Sequence, residues 1–412
     1  MKRGWKMINV IGLGYIGLPT ALMLASKGNK IVGTDYDKEV VKSLKEGRIP
    51  FEENGIETLY TEAVEKGIIF TNEYIKTDMY IVTVPTPYIK DSKKIDPSYI
   101  ISAVQSVMDV CEKGAVVAIE STVSPGTIDK FVRPIIQDKG FVLGKDIHLV
   151  HAPERILPGN MIYELRHNPR TIGADSIEAG EKVKSVYESF CESEIVVTDI
   201  RTAEMTKVVE NTFRDINIAF ANELTKICRS DGLDVYEIIQ IANKHPRVNI
   251  LNPGPGVGGH CISVDPWFLV GDYPGLTNLI LTARHTNDSM PEFVLERVHT
   301  IMEEKGITDL SRVGLYGLTY KQDVDDVRES PTLQLLEKMK EHLAPELKVY
   351  DPMVNTKIVD NQYTDFDKFL NDIDLVIVMV SHTHILHNED KLGGKIILDT
   401  QKVLKNSIVN YL

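Results

Sequence analysis

The chain of 412 residues is short of cysteine, of positive charge and of long apolar runs, and each shortage removes a class of function. Its four cysteines, Cys111, Cys191, Cys228 and Cys261, lie far apart and form no CxxC pair. That argues against a disulfide framework and against a zinc or other metal site, and it fits a reducing, cytoplasmic compartment. The 46 Lys and Arg against 59 Asp and Glu give a formal net charge of −13, which weighs against nucleic acid or an anionic membrane surface as partner. A local basic pocket for a phosphorylated small molecule stays open. No apolar stretch reaches the length of a bilayer span. The opening MKRGWKMINVIGLGYIGLPTALMLAS has the charge-then-apolar look of a secretion signal. Four glycines and a proline break the run, and it reads better as a nucleotide-binding turn. At 43% hydrophobic and 25% charged the remainder is ordinary for a globular protein, long enough for two or three domains.

What is present is a series of short, β-branched apolar runs alternating with helical patterns. Residues 7–14, 30–35, 79–85, 115–121 and 147–153 read as strands, nearly continuous in hydrophobicity as parallel strands covered on both faces should be. Residues 202 to about 245 read as one long helix, a domain connector or a dimer interface, and 276–305 is helical again. From about 312 the strand pattern returns and echoes the first half: VGLYGL stands where INVIGLG stood, LKVYDP matches KIVGTDYD, and 372–384 and 393–402 match 76–88 and 113–122. The expected fold is α/β, with two Rossmann-like doubly wound domains joined by a long central helix. The divisions are 1–200 for dinucleotide binding, 201–306 for a central helical domain, and 307–412 for a second Rossmann-like domain degenerate in its glycines. A cleft between two such domains is a favoured place for a ligand.

Gly12, Gly14 and Gly17 in GLGYIG, with Tyr15 and Ile16 between them, follow a strand and open a helix. Asp35 ends the next strand 18 residues after Gly17. In that context the spacing predicts dinucleotide binding, the pyrophosphate lying at the helix N-terminus and Asp35 accepting from the adenosine ribose. The Asp35 charge would repel a 2′-phosphate, so NAD is expected over NADP. VPTP and ESTVSPGT end two further strands, which makes Pro85, Thr86 and Thr122 candidates for the nicotinamide side, with ordinary turn chemistry as the plainer reading. Glu154 and Arg155 in HAPERILPGN follow another strand end and are either solvated or cleft-facing. Lys207, Asn211 and Arg214 fall at i, i+4 and i+7, on one helix face that is either exposed or aimed into the cleft.

NPGPGVGGHCISVDP places Cys261 behind a run stripped of side chains, with Asp265 four residues on. A free cysteine is commonly a buried filler. Beside a nicotinamide, however, a thiolate can add to an aldehyde, and the thiohemiacetal can be oxidised to a thioester that water hydrolyses. On that reading the loop is bare so that a phosphorylated substrate packs on its backbone.

Taken together, GxGYxGLP, VPTP, STVxPGT, PER, the KxxxN helix, GGHC and YKQDVDDVRESP (320–331) make the chain resemble the UDP-glucose/GDP-mannose 6-dehydrogenase family over nearly its whole length. PERILPG and HPRVNILNPGPGVGGHC look most like the branch acting on UDP-N-acetyl-D-mannosamine, whereas the glucose enzymes typically have Ser at the position of His260. The resemblance implies a four-electron oxidation at C6 by two NAD through a covalent cysteine adduct. It makes Cys261 the nucleophile, Lys207 and Asn211 the groups that stabilise charge, Glu154 the base for thioester hydrolysis, and Asp265 a support for the lysine or a water. It further implies substrate contacts at Arg155, Ile156, Lys207, Asn211, Arg214, His245, Arg247 and Gly258. Tyr320 and Lys321 would hold the nucleotide sugar, Lys402 would cap it, and Arg328 would reach NAD. The family dimerises through the central helix, so a homodimer or higher homo-oligomer is expected, with Arg247 reaching a neighbouring subunit's site. IPFEENGIETL departs from the family pattern, Asn54 standing where many members have proline. The rival sugars are UDP-N-acetylglucosamine and UDP-glucose. A two-electron β-hydroxyacid-type dehydrogenase would need neither Cys261 nor a second Rossmann-like domain, and a non-catalytic NAD sensor would not need the intact set.

Overall fold

The computed structural model describes residues 7–259, 261–341, 347–405 and 409–412. His260 of the GGHC motif and the first six residues of the signal-like start lie outside them. The chain forms two compact units, residues 1–210 and 211–412.

In the first unit the strands are β1 (Ile8–Ile11), β2 (Ile31–Thr34), β3 (Ile69–Thr71), β4 (Met79–Val82), β5 (Ala115–Ile119), β6 (Ile147–His151), β7 (Arg170–Ala174) and β8 (Ile195–Thr198). They make one sheet in the order β3-β2-β1-β4-β5-β6-β7-β8, parallel throughout except that β7 runs against β6. Every residue of β1, β2, β4 and β5 is buried, because helices cover both faces of a doubly wound sheet. Val10, Leu22, Ile81 and Val116 belong to that core. The order reverses between β1 and β4, so the loops after those strands open the crevice in which this architecture binds ligands. The strands expected as third and fourth are β4 and β5, since β3 precedes them.

The second unit repeats the plan. Its strands are β9 (Val313–Tyr316), β10 (Lys348–Tyr350), β11 (Gln362–Tyr363), β12 (Leu375–Val378), β13 (Ile396–Asp399) and β14 (Asn410–Tyr411). They are all parallel, in the order β11-β10-β9-β12-β13-β14, which is the order of the first six strands of the first unit. Val298, Leu315, Leu335 and Ile377 lie in its core.

The central helix spans Ile200–Asp231. It does not run on to 245. Gly232 at φ 69 breaks it, and Asp234 starts the helix Val235–Ala242 by accepting from the N–H groups of Tyr236 and Glu237. The segment expected as helical over 276–305 is two helices, Asn278–Asp288 and Met290–Lys305, the second with proline in its first turn. Along the central helix the polar residues Glu204, Lys207, Asn211, Asp215 and Asn222 are buried. Arg214 lies about 20° round the helix from Lys207, seven residues on, and is exposed. At 100° per residue the buried face is centred on Glu204, Asn211, Asp215 and Asn222, and Arg214 falls at its margin. No helix among the described residues is long and apolar enough to cross a membrane.

Candidate active site

The glycine turn after β1 is shaped by close approach. Gly12 has φ 91, and a Cβ there would stand 2.9 Å from the Thr83 carbonyl oxygen. A Cβ on Gly17 would stand 1.8 Å from the Gly12 oxygen, so the helix Gly17–Ser26 can start against the turn only without a side chain. Gly14 is the opposite case, exposed and with no atom within 4 Å of a built Cβ. The helix start at Ile16 carries no side-chain cap and no acidic residue in its first turn, leaving its N–H groups and dipole for an anion. Tyr15 stacks on Phe51 at 4.5 Å and Ile16 packs on the core, which holds the turn's shape. Asp35 is buried at the end of β2, its Oδ2 accepting from Leu13 N–H at 2.7 Å and its Oδ1 from Asp37 N–H at 2.9 Å. Each oxygen keeps a second lone pair for a ribose hydroxyl. This combination of open Gly14, uncapped helix and a buried carboxylate just after β2 fits a dinucleotide. Thr86 donates to the Thr122 carbonyl at 2.7 Å and so ties the loops after β4 and β5 together, with Pro85 exposed beside it.

The loop after β6 carries Glu154, which is buried. Its Oε1 accepts from Arg155 N–H at 2.6 Å, and its carboxylate forms an ion pair with buried Arg170. Arg170 also reaches Glu120 at 3.4 Å. Burial pushes the Glu120 carboxyl up, to about 8, with Arg170 only partly offsetting it and the Glu154 charge adding to the rise. Sequence reasoning passed over Glu120, although it sits in the quoted ESTVSPGT, and it had no signal for Arg170. Two expected substrate contacts, Arg155 and Ile156, adjoin Glu154 on this loop. The Arg155 guanidinium is held in a forked pair by Glu210, both bonds at 2.7 Å, and also donates to Thr171. Ile156 is a core side chain, which leaves only its backbone to meet a ligand.

In the second unit Cys261 is partly exposed and opens a tight turn, its carbonyl accepting from the N–H groups of Val264 at 3.1 Å and Asp265 at 2.9 Å. The four cysteines form no disulfide among the described residues. Asp265 then begins the helix Asp265–Asp272, and its Oδ2 accepts from the Asn211 amide at 2.6 Å, both side chains being buried. The central helix grips the loop twice more. Asn217 brackets it between Asn249 O and Leu251 N, both at 2.9 Å, and Asn222 accepts from Gly254 N–H at 3.0 Å. The glycines of GGHC have a nearer cause than a packed substrate. A Cβ on Gly258 would stand 2.5 Å from the Glu329 oxygen and 2.8 Å from Tyr320 Cβ, and one on Gly259 would stand 2.7 Å from the Tyr320 ring. Gly259 N–H donates to the Arg328 carbonyl at 3.0 Å. The loop is bare because the 320–331 segment lies against it.

Lys207 stands one turn before Asn211, 5% exposed, and no hydrogen bond or ion pair holds it among the described residues. The remaining candidates are more dispersed. Arg214, His245 and Arg247 are exposed. Lys321 accepts from the Thr319 hydroxyl through its carbonyl. Exposed Arg328 is paired with Asp326 at 2.6 Å. Lys402 at φ 52 is ion-paired with Asp234 and lies 5.0 Å from the Tyr236 ring centre.

This geometry agrees with what the chain is similar to. A protein of Methanocaldococcus jannaschii named UDP-N-acetyl-D-mannosamine dehydrogenase is 41% identical over 98% of this chain and 94% of its own. A Ralstonia nicotianae protein named NDP-N-acetyl-D-galactosaminuronic acid dehydrogenase is 38% identical over 96% of each. The native structure of the UDP-N-acetyl-mannosamine dehydrogenase of Staphylococcus aureus superposes with a TM-score of 0.87 at 40% identity, covering 98% of this chain and 97% of that one. Residues 6–191 match an NAD binding domain, 201–289 a central domain and 314–406 a UDP binding domain, all of one family. With an NAD binding, a central and a UDP binding domain of one family matched along its length, the chain belongs to the UDP-glucose/GDP-mannose dehydrogenase family.

Proposed function

We propose that this chain oxidises C6 of UDP-N-acetyl-D-mannosamine to the uronic acid, in two NAD-dependent steps joined by a covalent adduct on Cys261. The observation that carries the reading is the Asn211–Asp265 bond at the foot of the turn that presents Cys261, in a chain this similar to enzymes named for that substrate. Bound at the glycine turn, NAD supplies the two-electron acceptor for each oxidation. The protein's groups do the rest. Lys207 and Asn211 offer a cation and an amide donor to negative charge developing on the C6 oxygen. The Cys261 thiolate adds to the aldehyde carbon, and oxidation of that thiohemiacetal leaves a thioester. Water then attacks the thioester carbon while Glu154 takes its proton, the C–S bond breaks, and the sulfur leaves as thiolate. Overall one alcohol, two NAD⁺ and one water give a carboxylate, two NADH and three protons.

On this reading the chain divides at about residues 200 and 306 into NAD-binding, central and UDP-sugar-binding parts. The pyrophosphate and ribose meet Gly12, Gly14, Gly17 and Asp35, and the uridine end meets Tyr320 and Lys321. Val209, Phe213, Phe220 and Ile227 are exposed at spacings of four, seven and seven along the central helix, an apolar stripe that supports a homodimer through that helix. Cysteines without disulfides support a reducing, cytoplasmic setting. The relative named for a galactosaminuronic acid keeps a sister sugar as the second reading.

The test is the number of NADH formed per molecule of limiting UDP-N-acetyl-D-mannosamine, with NAD in excess, for the wild type and Cys261→Ser. Two NADH per sugar, with repeated turnover lost in the serine variant, is the expected result. One NADH sinks the covalent mechanism. No NADH, with turnover on a differently configured sugar, keeps the mechanism and moves the substrate.

A further inference from the structure

The sheet of the first unit contains one reversal, and that reversal has a chemical consequence. In the antiparallel pair β6–β7, Val150 faces Ala174 and His151 faces Gly173. Continued past the strand end, the same register sets Glu154 opposite Arg170. A parallel β7 would have put Arg170 at the far edge of the sheet, away from the carboxyl ends where the ligand crevice lies. Instead the guanidinium stands between two carboxylates from neighbouring strand ends, ion-paired with Glu154 and 3.4 Å from Glu120. All three side chains are buried. The rings of Tyr187 and Phe190 lie 4.5 and 5.2 Å from the guanidinium carbon and close its remaining side. Glu154 is therefore fixed from two directions, by Arg170 on its carboxylate and by the Arg155 N–H.

Resting on the reading of Glu154 as the base that hydrolyses the thioester, we propose that Arg170 and Glu120 are positioning residues for that step alone. Arg170 holds the Glu154 carboxylate in line with the attacking water, and Glu120 holds Arg170 from behind. Two ionised carboxylates around one buried guanidinium would leave an uncompensated charge, so one proton stays on the trio. Full burial beside the Glu154 charge raises the Glu120 carboxyl and so favours the proton there. The chemistry is unchanged: water's oxygen bonds to C6, its proton passes to Glu154, and the electron pair of the C–S bond returns to Cys261. What the trio supplies is placement, and a base displaced by an ångström loses on the order of 100-fold in rate.

The experiment mixes enzyme with UDP-N-acetyl-D-mannosamine and excess NAD, follows NADH through the first turnover, and weighs the peptide carrying Cys261 after acid quench. Four proteins are compared: wild type, Glu154→Gln, Arg170→Lys and Glu120→Gln. Arg170→Lys is expected to release two NADH per site in a burst and then turn over on the order of 10- to 100-fold slower, with the acyl mass on Cys261. Glu120→Gln, which keeps the shape, should do the same to a smaller extent and guards against a lysine variant that fails to fold. Thioester in Glu154→Gln but in neither positioning variant overturns the proposal and leaves the base where it is. No thioester in any of the three removes the base as well. A fall in melting temperature with both oxidations slowed in proportion and no acyl-enzyme would make the trio structural only.

Discussion

The two Rossmann-like halves share a strand order and a turn, yet only the first leaves that turn open. In each, a carboxylate at the end of the second strand accepts from the residue after the first glycine: Asp35 from Leu13 in one, Asp351 from Leu318 in the other. The second oxygen accepts from the N–H two residues on, in Asp37 and in Met353. Both first glycines sit at positive φ, 91 for Gly12 and 100 for Gly317. The difference comes two residues later. Gly14 opens to empty space, and its helix begins at Gly17. Its counterpart Thr319 is buried, donates to the Lys321 carbonyl and lies 3.3 Å from His382. Helix does not resume there until Pro331. His382 also stands 3.2 Å from the Asp351 oxygen that holds Leu318, taking up capacity that Asp35 keeps. A dinucleotide turn is thus made by what is left out after the first glycine, and the same scaffold fills itself when those residues are put back.

The sharpest way to break the comparison is to exchange the deciding residue. Gly14→Ala adds a methyl with no protein atom within 4 Å, so the melting temperature should hold while NAD binding weakens by about 1–3 kcal/mol, ten- to a hundredfold in Kd by calorimetry. Thr319→Ala should do the reverse, leaving NAD affinity alone and lowering stability by about 1 kcal/mol through its lost hydroxyl bonds. If both variants change NAD affinity, the two turns are not independent in function.

The carboxylates of the two halves should also answer pH with opposite sign. Burial pushes Asp351 up, but His382 and the Leu318 and Met353 amides outweigh it and hold the group below the usual range. Its contribution is therefore present above the unfolded value and is lost as pH falls through the folded one. Glu120 is raised to about 8, so the folded state binds the extra proton, and stability falls as pH climbs from the unfolded value of about 4.3 toward 8. Melting curves from pH 3 to 9 check both: Asp351→Asn should flatten the acid limb, and Glu120→Gln should flatten the decline toward pH 8 by about 2–4 °C. A decline toward pH 8 that survives Glu120→Gln would assign it elsewhere.

The smallest effect is expected at Lys402→Met. A partly solvated pair with Asp234 is worth about 0–1 kcal/mol, so stability should barely move. A rise in KM at constant kcat would place this side chain at the substrate, and an unchanged KM would confine it to Asp234 and its two rings.

Where the sequence was legible, burial was complete. β1, β2, β4 and β5 are buried at every residue and β6 nearly so, and their apolar runs announced them. β3 and β8, at the two edges of the sheet, carry exposed Ile69 and Val196, and their runs of three apolar residues were not read as strands. β7 opens on Arg170, a residue that only a reversal in strand direction brings into use. At the site, Lys207 and Asn211 stand four residues, little more than one turn, apart and are both buried. Arg214 lies within about 20° of Lys207 round the helix yet is exposed, and nothing in the chain announced that its neighbour Asp215 would be buried against Arg284 and Asn287. The Arg155–Glu210 fork and the Glu120–Arg170–Glu154 trio join residues 16 to 55 positions apart, which no local pattern encodes.

The contact of Gly258 and Gly259 with Tyr320 makes the cysteine's loop and the 320–331 segment work like meshed gears. Neither glycine can gain a methyl unless Tyr320 or Glu329 moves, so a change of bulk on one side must be answered by a change on the other. Substitutions at Tyr320 can therefore retune the reach of the sulfur without touching it. A library built at residues 258, 259 and 320 together should recover active variants that no single change among them allows.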